Sequence, residues 1–278
     1  MPFIQSVILA AVQGITEFLP VSSSGHLILV PKLTGWTDQG LAIDVAVHVG
    51  TLLAVMLYFW RDIGGMAGAI FRAAGQVANR RPLDQEFWLV VKLMVATLPV
   101  VAAGYLVNEY LDAGLLRQVK IIGWATLGFG LLLLFADKTN MTIRQLDHIT
   151  HGSALVIGCF QILALIPGTS RAGITMTAAR FLGVERQDAA RFSLLLSIPV
   201  IIAAGVLKGW ELYRSGNQVL IDEALTVGGL AFLFALLAIA LLMVWLRRAS
   251  FTPFVVYRVL LGAVLLYIAY GAPGFNIL

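Results

Sequence analysis

The stretch Gln13-Gly-Ile-Thr-Glu17-Phe-Leu-Pro-Val-Ser-Ser-Ser-Gly-His26 lies inside an apolar, helix-forming run and interrupts it. Of the fifteen acidic residues in the chain, Glu17 is the one that reads as deeply embedded in apolar sequence. A charge at bilayer depth costs roughly 2.5–3.5 kcal/mol even on insertion scales, so it normally faces a polar cavity and has a function. A second apolar run carries an isolated cation, in Pro167-Gly-Thr-Ser-Arg171-Ala-Gly-Ile-Thr175. One anion and one cation, each beside Pro, Gly and Ser at a helix break, read as two halves of one site.

The rest of the chain fits a membrane setting. Hydrophobic residues make up 59% and charged residues 12% of the sequence, with mean hydropathy +0.89. A soluble domain carries about 25% charged residues, so this is an integral membrane protein. The pI near 9.4 does not point to nucleic acid, because the basic residues are scattered through loops and form no tract. No basic residue precedes Lys32 and no small-residue cleavage site follows the first apolar run, so a removable signal peptide is not expected. With Cys159 as its one cysteine, the chain has no intramolecular disulfide and no cysteine-based metal cage.

Six stretches are long enough to cross roughly 30 Å of hydrocarbon, near 43–60, 86–108, 119–136, 189–208, 225–246 and 254–271. Two more apolar stretches, near 2–35 and 148–184, are broken at their centres. Broken helices at membrane depth are tolerated where they line a cavity or are buried in protein. Both are therefore expected to be re-entrant helix–loop–helix hairpins. Ten basic residues, Arg61, Arg72, Arg80, Arg81, Lys138, Arg144, Arg186, Arg191, Arg247 and Arg248, fall in loops that alternation assigns to one side. Four, Lys32, Arg117, Lys120 and Arg214, fall on the other, so the positive-inside rule puts the first group in the cytoplasm.

The hairpins then enter from opposite faces, as in an inverted repeat, and Gln13…Pro20…Gly25 resembles Gln161…Pro167…Gly173. The expected organisation is a single all-α membrane domain over 1–278, with repeat halves 1–136 and 137–278. Such repeats place their site at the midplane between the two breaks. The segment 63–82 has apolar and basic positions at helical spacing and is expected to lie along the inner interface.

Gln13 and Glu17, four apart, share one helix face. Pro20 ends that helix, and Ser22, Ser23 and Ser24 are good cap residues for the next half-helix. Gly25 allows close approach to the backbone, and His26 lies in the first turn. A helix N-terminus with hydroxyls and a nearby arginine is an anion site, and the planar fork of Arg171 suits phosphate. Ser170 and Thr175 add hydroxyls. A carboxylate beside such a site would repel a phosphate unless a divalent cation, Mg²⁺ or Ca²⁺, bridges them, which makes Glu17 a candidate metal ligand.

Phosphoryl transfer needs charge neutralisation, a nucleophile and a proton donor. Arg171 with the metal, Ser23 and His26 could supply these, and His26 could instead attack directly. His48 reads equally as a cavity-lining or a packing residue. His148 and His151 read as ordinary interfacial residues, and Lys92 and Arg258, near span ends, as snorkelling cations.

These motifs resemble the two signature regions of the undecaprenyl-diphosphate phosphatase family, the bacitracin-resistance proteins of bacteria. The match extends over essentially the whole chain and includes Phe59-Trp60-Arg61. The resemblance implies a hydrolase of the cytoplasmic (inner) membrane that releases inorganic phosphate from undecaprenyl diphosphate, regenerating the carrier lipid for peptidoglycan. It also implies divalent-metal dependence and a site open to the periplasmic face. The family's acidic motif maps onto Gln13 and Glu17, its serine–histidine motif onto Ser22, Ser23 and His26, and its arginine motif onto Ser170 and Arg171. Gln13 stands where some members have Glu, and Ala172 where others have Ser.

The expected partners are the lipid substrate and the membrane, without nucleic acid, and a homodimer is compatible with the reading. A lipid flippase would share this architecture. The lipid phosphatases with a Lys-x6-Arg-Pro motif do not fit, because Ala74 stands where Arg81-Pro82 would require the lysine.

Overall fold

The computed structural model describes residues 2–36, 41–110, 116–139, 142, 144–215 and 218–271. The side chains of Lys32 and Arg214, both used in the orientation reading, lie outside the described residues. The described residues form eleven α-helices and no strand, with only an isolated bridge between Arg144 and Val184.

The broken run at the N-terminus gives α1 (Phe3–Thr16) and α2 (Ser23–Thr34), and the second broken run gives α7 (His151–Gln161) and α8 (Arg171–Phe181). At 1.5 Å per residue the longest of these is about 21 Å, too short to cross the hydrocarbon. Long helices surround them: α3 (Leu41–Tyr58), α4 (Trp60–Ala78), α5 (Gln85–Tyr110) and α6 (Val119–Thr139) in the first half of the chain. The second half adds α9 (Arg186–Ser215), α10 (Gln218–Trp245) and α11 (Thr252–Gly271).

Among the described residues four segments have the length and apolarity to cross a membrane: Gln85–Val107, Val119–Thr139, Ile221–Trp245 and Thr252–Gly271. They match four of the six expected spans. The expected span 43–60 is α3, which turns by 80° at Phe59 into α4. That bend redirects α4, the segment expected along the interface. Its Phe71 and Arg72 are exposed, and only Met66 and Ala69 are buried. Arg72 and Gln76 hydrogen-bond the side chain of Asp84, fastening the end of α4 to the start of α5. Those bonds, Gln76 first and then Arg72, hold the Asp84 carboxyl below the usual carboxylate range. The sixth expected span, 189–208, falls inside α9, a helix of 30 residues carrying Pro199.

Lipid supplies little hydrophobic drive between helices, so they are held by close van der Waals packing at small residues. Where α3 crosses α10, a methyl on Gly50 would lie 2.0 Å from the carbonyl oxygen of Gly228. Where α7 crosses α5, a methyl on Gly158 would lie 2.4 Å from that of Ala96. Any side chain at either position would force the helices apart. This packing buries α8 throughout, from Ala172 to Arg180.

A polar lock that the sequence did not reveal holds the other end of α8. Asp137 of α6 accepts from Arg180 Nε at 3.1 Å and from Arg186 Nε at 2.7 Å. Glu17 is thus not the only carboxylate buried in the bundle. Asp62 of α4 pairs with Arg191 of α9.

Candidate active site

Two residues other than glycine cap half-helices with left-handed backbone, and both sit at the chain breaks. Ser22 has φ 77° and caps α2, and Ser170 has φ 71° and caps α8. Each accepts a hydrogen bond on its hydroxyl from the glycine three residues on: Gly25 N–H at 3.4 Å and Gly173 N–H at 3.0 Å. Left-handed backbone in a residue with a Cβ is unfavourable and clusters at functional sites. The repeat of cap, strain and glycine spacing gives the two breaks one local design.

That design brings the first residue of each half-helix to one carboxylate. Ser23 Oγ donates to Glu17 Oε2 at 2.7 Å. Arg171 Nη2 donates to Glu17 Oε1 at 3.0 Å. Glu17 closes α1, 7% exposed, and Gln13 Nε2, one turn earlier, donates to its Oε2 at 2.9 Å. At the helix starts the N–H groups of Ser23, Ser24, Arg171 and Ala172 have no intrahelical acceptor. The two helix N-termini and the guanidinium therefore converge where an anion would sit.

The remaining expected residues occupy distinct places. Ser24 is exposed at the start of α2, with its hydroxyl 3.4 Å from that of Ser22. Gly25 abuts the opposite tip: a methyl there would lie 3.3 Å from Ser22 Oγ and 3.6 Å from Gly168 Cα. Thr175 is buried behind Arg171. Its hydroxyl donates to the Arg171 carbonyl at 2.9 Å and pairs with Ser193 Oγ at 2.7 Å, while the Ser193 carbonyl accepts from Arg171 Nη1 at 3.4 Å. Thr175 and Ser193 thus orient the arginine from the rear.

His26 is not placed as the proton partner of Ser23. Its Nδ1 donates to the Ser22 carbonyl at 2.6 Å, and its Nε2 meets the Tyr257 hydroxyl at 2.5 Å. The hydroxyl of Ser23 points to Glu17 instead. His48 takes the cavity-lining alternative: its Nε2 lies 3.7 Å from Glu17 Oε2 and its Nδ1 donates to the Asp44 carbonyl at 2.6 Å.

Arg258 overturns the snorkelling expectation. It is 0% exposed, and its guanidinium reaches inward to four backbone carbonyls. These are Thr126 at 3.1 Å, Pro20 at 3.3 Å, Gly168 at 3.1 Å and Thr169 at 2.8 Å. Pro20 belongs to the first break, Gly168 and Thr169 to the second, so one side chain from α11 pins both tips. Its sequence signal was that of Arg171, an isolated cation in an apolar run. Proximity to the span end masked it. Tyr257 gave no such signal.

A divalent cation can be tested against these groups. Gln13 Oε1 is buried and has no hydrogen-bond partner, an oxygen ligand left over beside Glu17. His48 Nε2, 3.7 Å from Glu17 Oε2, turns a second ring nitrogen to the same side. The donor set therefore fits a cation on the Oε2 side of Glu17. Among the described residues no cluster of three or more His, Cys, Asp or Glu side chains accompanies it, so further oxygen ligands would come from phosphate.

Fold and site together define an all-helical, multi-pass membrane protein with a polar cluster buried where two broken helices meet. A family model for the bacitracin resistance protein BacA matches residues 6–264. The undecaprenyl-diphosphatase of Roseobacter denitrificans is 49% identical over 97% of this chain and 100% of its own length. Undecaprenyl-diphosphatase 1 of Rhodospirillum rubrum is 50% identical over 98% of this chain and 97% of its own. That of Hahella chejuensis is 48% identical over 98% of this chain and all of its own. The chain belongs to the bacitracin resistance protein BacA family.

Proposed function

We propose that the protein is an undecaprenyl-diphosphatase that hydrolyses undecaprenyl diphosphate to undecaprenyl phosphate and inorganic phosphate. This returns the lipid carrier to peptidoglycan and other cell-wall synthesis. The observation that carries the chemistry is the convergence of Ser23 and Arg171, each at a half-helix start, on Glu17. The terminal phosphate would lie against the two helix N-termini and the Arg171 fork.

Glu17 Oε2 takes the proton of Ser23 Oγ–H as that oxygen attacks the terminal phosphorus. The bridging P–O bond breaks, and undecaprenyl phosphate leaves with its electron pair. Water then attacks the phosphoserine, and its proton passes to His26. Glu17 returns the proton to Ser23 Oγ as the P–O bond to Ser23 breaks, and inorganic phosphate departs. A divalent cation, Mg²⁺ or Ca²⁺, held by Glu17 with Gln13 Oε1, would neutralise charge on the diphosphate oxygens. Ser22, Ser170 and Thr175 hold the caps and Arg171 in place, with Ser24 and Gly25 at the tip.

The fold reading goes with this function. Six spans and two re-entrant hairpins (about 2–35 and 148–184), in repeat halves 1–136 and 137–278, would put the site at the midplane, open to the periplasmic side of the inner membrane. The matching caps at Ser22 and Ser170 support the repeat. The orientation is checked by Lys32→Cys, Arg214→Cys, Arg81→Cys and Arg248→Cys in a Cys159→Ser background. An impermeant thiol reagent on intact cells should label positions 32 and 214 and spare 81 and 248. The reverse pattern would move the opening to the cytoplasmic face.

The function is tested by phosphate release from undecaprenyl diphosphate by purified protein, with divalent metal added and then chelated. Release that depends on metal is expected. Glu17→Gln should lower kcat by about 10²–10⁴-fold while leaving the protein folded, since it removes a base and a ligand together. Movement of lipid between leaflets without phosphate release would replace this reading with a flippase.

A further inference from the structure

We propose that Tyr257 relays the proton between the attacking water and His26, its hydroxyl oxygen taking the water proton as its own proton moves to His26 Nε2. The inference rests on the phosphatase reading above and adds a residue from α11 to the machinery. The Ser22 carbonyl can only accept, so His26 Nδ1 carries a proton and donates at 2.6 Å. In the neutral ring Nε2 is then a lone pair, and the group facing it at 2.5 Å is the Tyr257 hydroxyl, which donates. The two rings lie nearly parallel, 10° apart with centroids separated by 5.7 Å.

A histidine held by one hydrogen bond can swing about its ring torsion or exchange tautomers. Held at both nitrogens it can do neither, and its one lone pair stays on the Tyr257 hydroxyl, so a water proton reaches it through that oxygen. The next residue on the same helix, Arg258, fastens the carbonyls of Pro20, Gly168 and Thr169. Tyr257 and the two tips are therefore referred to one rigid element. Tyr257 ends each turnover with as many protons as it began, and the charge rests on His26.

The decisive variant is Tyr257→Phe, which keeps the ring beside His26 and removes only the hydroxyl. Steady-state phosphate release should show kcat about tenfold lower with KM within about twofold, as expected for one lost hydrogen bond acting on a reacting group. In a His26→Ala background the same substitution should cost nothing further, because the hydroxyl acts through the imidazole. Tyr257→Phe melting at the wild-type temperature in detergent would accompany both results.

Equal losses from Tyr257→Phe in the wild-type and His26→Ala backgrounds would assign the tyrosine to packing and overturn the inference. An unchanged kcat in Tyr257→Phe, with His26→Ala impaired, would overturn it and leave the reading of His26 intact. Full activity in His26→Ala would remove the role of His26 in the proposed reaction and the inference with it.

Discussion

Ser23→Ala is expected to lower kcat for phosphate release by about 10⁴-fold or more, the scale on which nucleophiles removed from acyl-transfer enzymes act. The hydroxyl sits at the start of α2 with its oxygen 2.7 Å from a buried carboxylate oxygen, and alanine offers neither oxygen nor proton. His26→Ala should be the milder change, about 10²–10³-fold, because His26 serves the water step and not the attack on lipid diphosphate.

The chemistry of the trapped intermediate separates the two residues. Brief reaction with labelled substrate followed by acid quench should leave an acid-stable adduct, because phosphoserine survives acid and phosphohistidine does not. An acid-labile, base-stable adduct formed on the Ser23→Ala protein would transfer the nucleophile to His26. The geometry argues against that outcome, since both ring nitrogens of His26 are already engaged, one by Ser22 and one by Tyr257.

The second large effect is on stability. Arg258→Met should be strongly destabilising although it removes a charge from an apolar bundle. Methionine fills the space of the stem but leaves the carbonyls of Pro20 and Thr169 without their donor, while that of Gly168 keeps the Thr126 hydroxyl and that of Thr126 stays within α6. Each buried acceptor left unpaired costs about 1–3 kcal/mol, against a total folding stability of about 5–15 kcal/mol. Removing the desolvation cost of the guanidinium offsets part of this, so a net loss of about 2–4 kcal/mol is expected. At about 2–4 °C per kcal/mol that is roughly a 10 °C fall in melting temperature in detergent.

Arg258→Lys should fall in between, since an ammonium has three donors without the planar fork. Melting of Arg258→Met within a degree or two of wild type would show that the tips hold themselves. Activity should fall together with stability, because Pro20 and Gly168 belong to the loops that present Ser23 and Arg171.

Much of this was legible in the residues. Burying a charge in hydrocarbon is so costly that Glu17 and Arg171 announced themselves, and Pro20 and Pro167 with their serines marked where the helices had to stop. The i, i+4 spacing placed Gln13 beside Glu17, and the hydrogen bond between them is what a single helix turn dictates. Apolar length alone located four segments long enough to cross the hydrocarbon, because the bilayer fixes a span at about twenty residues.

What the residues could not carry is anything that depends on which groups meet across the bundle. Gly158 looks like any other glycine until α5 lies against it, and Asp137 and Arg180 are 43 positions apart until α6 meets α8. Thr175 reads as a substrate hydroxyl in sequence, and it became a support for Arg171 only because α9 brings Ser193 to it. Tyr257 and Arg258 lie 231 or more positions from His26 and Pro20, and no periodicity links them. Local spacing decides caps, breaks and helix faces, because those involve neighbours in the chain. The partner of a polar group buried at a break is decided by long-range packing, and here that packing brings α11 to the ring of His26 and the carbonyls of both tips.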